Sequence, residues 1–74
     1  MLEAVINMME EILERDKEFI NPADQFREYD EWDSLAYLSV IAKIDEDFGM
    51  VIPRDEFREL ETIQALADYL ESHN

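Results

Sequence analysis

The chain has 74 residues, 47% of them hydrophobic, with one Gly, two Pro and no Cys. That length fits one small domain that buries only about 60% of its unfolded surface, and the lack of cysteine excludes disulfides, thiolate metal sites and any side-chain thioester. Twenty acidic side chains against six Lys and Arg leave a net charge of -14, which disfavours nucleic acid and anionic lipid, points to partners with basic surfaces, and should make salt a stabiliser of the compact state.

Leu2, Val5, Ile6, Met9, Ile12 and Leu13 recur at i, i+3, i+4 and i+7, which predicts an amphipathic helix over residues 2–15 with Glu3, Glu10, Glu11 and Glu14 outward. The start, M-L-E-A-V-I, has no basic n-region, and no apolar run is long enough to span a bilayer, so the expectation is a cytoplasmic chain without stable membrane insertion. Residues 16–33 show no helical period and contain N-P at 21–22. A connection this long is expected to be ordered, tacked to the core by Phe19, Ile20, Phe26 and Tyr29.

A second helix is predicted from Ser34 to about Phe48, stopped by Gly49. Its wheel places Leu35, Leu38, Ile41, Ala42 and Phe48 on one apolar face, widened by Tyr37, Val40 and Ile44, with Ser39, Lys43, Glu46 and Asp47 on the polar arc and Ala36 at its edge. V-I-P at 51–53 reads as extended, and residues 54–60 as one or two helical turns with Phe57 and Leu60 inward. Thr62 reads as the N-cap of a last helix to about Glu71, burying Ile63, Leu66, Ala67 and Leu70. The expected fold is all-α: a small bundle of three main helices plus a short one, with a long loop between helices one and two.

A single His73 near the C-terminus argues against histidine catalysis or metal binding. An EF-hand loop needs Gly at its sixth position, but a loop starting at Asp30 has Leu35 there and one starting at Asp45 has Met50. No metal site and no enzymatic activity are expected.

The chemistry-bearing stretch is E-W-D-S-L-A-Y-L-S-V-I, residues 31–41. On its own Ser34 reads as a helix cap. A helix N-terminus also presents unpaired amides and partial positive charge, which suits a phosphate attached to that serine. An arm attached there, near the middle of the wheel's apolar arc, could turn inward or swing into solvent.

D-S-L at 33–35 resembles the phosphopantetheine attachment motif of the acyl carrier protein family. I-D-E-D-F-G-M-V-I-P at 44–53 and R-D-E-F-R-E-L-E-T-I-Q-A-L-A-D-Y-L at 54–70 follow at the family's spacing, so the resemblance covers most of the chain. It implies that Ser34, flanked by Asp33 and Leu35, carries 4'-phosphopantetheine transferred from coenzyme A by a separate phosphopantetheinyl transferase. The arm's thiol would hold acyl groups as thioesters, which answers the missing cysteine. Further implied partners are acyl-loading ligases and acyltransferase or synthase enzymes with basic docking surfaces, meeting a monomeric carrier. Leu38, Ile41, Phe48, Ile63 and Leu66 are candidates to line a shelter for the acyl chain, with ordinary core as the equal alternative.

Two departures stand out. Many fatty-acid carriers read G-x-D-S-L, whereas here Glu31 replaces the Gly and Trp32 precedes the motif, either packed under the loop or offered to a partner. The early second helix carries Ala36, Tyr37, Ser39 and Lys43 where fatty-acid carriers have carboxylates, and acid returns at Asp45, Glu46 and Asp47. Trp32, Ala36, Tyr37, Ser39, Lys43, Glu46 and Asp47 are therefore the expected partner-reading residues, on a surface that resembles free-standing carriers of specialised pathways. The alternatives are an aminoacyl or peptidyl carrier, or an unmodified acidic module that binds a partner helix.

Overall fold

The computed structural model describes residues 1–73. It contains four helices, α1 (Leu2–Leu13), α2 (Ser34–Phe48), α3 (Arg54–Arg58) and α4 (Ile63–His73), and no strand among the described residues. α1 packs against both α2 and α4, and Val5, Met8, Met9 and Leu13 supply its buried stripe. α1 ends two residues earlier than its periodicity suggests because Glu14 turns left-handed, at φ 53°. Gly49 ends α2 in the same left-handed region, at φ 65°, with its amide donating to the Asp45 carbonyl. Thr62 caps α4, its Oγ1 accepting from the Ala65 amide at 3.0 Å. Among the described residues no helix is long and apolar enough to cross a membrane.

The connection between α1 and α2 is ordered, with two 3-10 turns at Lys17–Phe19 and Phe26–Glu28. Ile20, Phe26 and Tyr29 are buried as expected, but Phe19 is 61% exposed: its backbone is held, the carbonyl by the Arg15 guanidinium and the amide by the Asp16 carbonyl, while its ring is left to solvent. Arg15 also pairs with Glu31 at 3.0 Å and lies over the Tyr29 ring. The connection completes α4 as well. The Pro22 and Asp24 carbonyls accept the amides of Gln64 and Ile63, two first-turn donors that have no partner within their own helix.

Asp24 organises this loop through one carboxylate oxygen, which accepts the Tyr29 hydroxyl at 2.7 Å and the Asn21 amide at 3.0 Å. These two bonds, the Tyr29 one foremost, hold its carboxyl below the usual range. A depressed folded-state value gives stability that is fully present above the unfolded value, near pH 4, and lost as pH falls through the folded value. Asp24→Ala loses both bonds, one exposed and one partly buried, and should therefore cost about 1 kcal/mol in urea unfolding at pH 7. Its deficit against the parent should shrink on acidification; a deficit independent of pH would show that the carboxylate is not the stabilising form.

Candidate functional site

Ser34 is the first residue of α2 and is exposed. The cap is Asp33, not Ser34. With its backbone extended, Asp33 accepts the Ala36 amide on Oδ1 at 2.8 Å, and its carbonyl accepts the Tyr37 amide at 3.0 Å. Ser34 Oγ makes no hydrogen bond among the described residues, so the hydroxyl is not needed to start the helix. It stands free at the positive end of a 15-residue helix.

The face that α2 buries is also not the expected one. Ala36, Val40 and Ile44 are buried, with Tyr37, Ile41 and Phe48 half-buried beside them. Leu35 and Leu38, both placed inward by the wheel, are 70% and 59% exposed, and Ala42 is exposed as well. Apolar residues lie on both arcs of α2, so periodicity alone cannot choose the arc that α1 covers. Two site expectations change accordingly. Ala36, at 6% exposure, cannot reach a partner, and Leu38 does not face the interior. Ser39 and Lys43 are half-buried, Lys43 pairing with Asp47 at 3.8 Å, and Glu46 and Asp47 are exposed. Ile63 and Leu66 are fully buried on α4.

Two hollows flank the start of α2. The larger, about 430 Å³, lies between Ser34 and α3. Trp32, Tyr37 and Phe57 form its aromatic wall, and Arg27, Arg54 and Arg58 add three guanidinium groups. Trp32 meets Phe26 edge-on at 5.0 Å and stacks over Phe57 at 6.5 Å, so it is packed beneath the loop. Arg27 is held in place, donating to the carbonyls of Leu60 and Phe57, both at 2.6 Å, and burial lowers its pKa. Arg54 lies over the Tyr37 ring at 5.5 Å. The smaller hollow, about 240 Å³ on the α1 side, has Glu14, Glu31 and Asp33 among its walls. Asp33 borders both, so Ser34 sits between a basic, aromatic side and an acidic one.

These three arginines are functional candidates that the linear sequence did not single out. The available signal was scarcity: they are half of the six basic side chains, and Arg54 and Arg58 stand at i, i+4 on one short helix.

Residues 3–70 match the family model described as phosphopantetheine attachment site. An acyl carrier protein of Rubrobacter xylanophilus is 36% identical over 58 residues, 78% of this chain and 72% of the relative. The chain belongs to the acyl carrier protein family. An acyl carrier protein of Thermosynechococcus vestitus is 33% identical over 69 residues, 93% of this chain and 85% of that protein. The solution NMR structure of a holo acyl carrier protein from Nitrosomonas europaea superposes with a TM-score of 0.79 at 28% identity, covering 97% of this chain and 93% of that one. This acyl carrier is thus a carrier and not an enzyme, and its prosthetic group is phosphopantetheine. The residues at the head of α2 fit that group: a free, exposed serine hydroxyl at a helix N-terminus, beside a cavity that combines apolar rings with cations.

Proposed function

We propose that Ser34 bears the phosphopantetheine group and that the whole chain acts as one carrier domain for acyl intermediates. The observation that supports this most directly is the division of labour at 33–34: Asp33 caps the helix, which leaves the Ser34 hydroxyl exposed and unbonded. When bound, the group supplies the thiol that this cysteine-free chain lacks, for holding acyl groups as thioesters. The protein's own contribution is to keep the attachment point rigid at the head of α2, with Asp33 fixed beside it and helix-end amides favouring the phosphate's charge.

The partners would be a phosphopantetheinyl transferase, an acyl-loading ligase and an acyltransferase or synthase, all in the cytoplasm, meeting a monomeric carrier. Exposed Leu35 and Leu38 next to the serine, with Trp32, Tyr37, Ser39 and Lys43 around them and the acids Glu46 and Asp47 further along α2, give such enzymes an apolar patch edged by charge. The near absence of carboxylates on the first turns supports clients of a specialised pathway. Ile41, Phe48, Ile63 and Leu66 stay proposed as the lining of a chain shelter, and because Ile63 and Leu66 are fully buried, cargo there would have to displace core packing.

The test is intact mass after incubation with coenzyme A, magnesium and a broad-specificity transferase, followed by peptide mapping. A gain of one phosphopantetheine unit on the peptide containing Ser34 is expected. No gain from the folded protein would overturn the assignment and favour an unmodified interaction module.

A further inference from the structure

We infer that the arginine-lined cavity is the resting berth of the carrier's own prosthetic arm: Arg54 and Arg58 hold its phosphodiester, and the rings of Trp32, Tyr37 and Phe57 receive its apolar middle. This deepens the assignment of Ser34 as the attachment residue and rests on it.

Charge is the first argument. In a chain of net charge -14, a phosphodiester added at Ser34 meets repulsion from most directions. Asp33 borders both sides; beyond it, the hollow on the α1 side presents Glu14 and Glu31, whereas the cavity on the α3 side presents three arginines. The ion pairs within 4.0 Å among the described residues are Arg15–Glu31 and Lys43–Asp47, so Arg27, Arg54 and Arg58 are unpaired despite the excess of carboxylates. Arg27 already donates to two carbonyls, which fixes it in the cavity lining. Arg54 and Arg58 are exposed on α3 and free to take an anion, for which a guanidinium fork is well shaped.

Shape and tether agree with charge. Ser34 itself lines the cavity, so an arm rooted there is held at high effective concentration against these walls without any search. The hollow is open to solvent on one side, and its volume of about 430 Å³ gives room for an arm laid against its walls. The arm has a gem-dimethyl centre and amides, a mixture that suits aromatic rings bordered by donors. The berth also gives a second role to Trp32, which packs on Phe26 and Phe57 from below and lines the cavity wall.

The experiment uses the full chain, loaded on Ser34 and verified by intact mass, with isotope-filtered NMR of the arm's methyl groups. In the parent holo protein, cross-peaks from these methyls to the Trp32 and Phe57 rings are expected, together with a shift of the Trp32 indole signal between apo and holo forms. In the doubly substituted Arg54→Gln, Arg58→Gln protein, equally loaded and with unchanged amide dispersion, both should be lost. Because the berth is electrostatic, about 1 M NaCl, which shortens the screening length to about 3 Å, should weaken the same cross-peaks in the unmutated protein. A fully loaded parent with no such cross-peaks, or a doubly substituted protein that keeps them, overturns the berth while leaving the attachment site intact. Failure of the parent to gain the phosphopantetheine mass would overturn both readings, and the mass measurement tells the two failures apart.

Discussion

Ser34→Ala should abolish the phosphopantetheine mass gain completely while changing unfolding free energy by no more than about 0.5 kcal/mol. The two outcomes separate because the serine hydroxyl has no hydrogen bond among the described residues and Asp33 makes the cap. Alanine carries no intrinsic penalty for helical backbone. Asp33→Ala is the informative contrast: it keeps the hydroxyl but loses the bond to the Ala36 amide, and should cost about 1 kcal/mol. Urea denaturation read by circular dichroism, beside intact mass, checks both substitutions. A Ser34→Ala protein destabilised as much as Asp33→Ala would mean that the hydroxyl shares the capping, and the case for a serine reserved for modification would weaken.

Phe57→Ala should leave the chain largely unfolded at 25 °C. Phe57 is 2% exposed, and its ring lies within 5.3–6.5 Å of those of Phe26, Tyr37 and Trp32, centroid to centroid. Its carbonyl is one of the two that hold Arg27. Truncating a buried Phe to Ala costs about 3–5 kcal/mol. A core in a chain of this size rarely supplies more than about 3–5 kcal/mol, so one substitution consumes most of the margin. Phe57→Leu keeps most of the volume and should fold. If Phe57→Ala unfolded cooperatively with a loss below about 1 kcal/mol, the aromatic group would be peripheral and the attachment of α3 would have to come from elsewhere.

Punctuation in the chain was legible because single residues carry it. Gly49 permits the left-handed stop, Pro53 starts α3, and the Thr62 hydroxyl caps α4. Burial on α1 was legible in part: Val5, Met9 and Leu13 are buried as read, but Met8, outside the expected stripe, is buried with them, and Leu2, Ile6 and Ile12 are only half-buried. α2 offered no such choice: Leu35 and Leu38 are as apolar as Val40 and Ile44, and only the position of α1 decides which set is covered. At the head of α2 the sequence reading places the cap on Ser34, and the extended backbone at Asp33, which sets its carboxylate on the Ala36 amide, moves it to the aspartate. The basic cavity could not be read at all along the chain, because Arg27 reaches it from the long connection and Arg54 and Arg58 from α3.

The bare leucines on α2 also bear on how the protein behaves at high concentration. Leu35, Leu38 and Val51 are large apolar side chains left to water, a surface that would let copies of a neutral protein adhere to one another. Mutual repulsion at a net charge of -14 keeps identical copies apart, while a client of opposite sign is drawn in and meets the same leucines at contact. The acidity that strains this small fold is thus also its colloidal protection. Conditions that screen the charge and tighten the fold would, at high enough concentration, begin to favour self-association through that leucine patch.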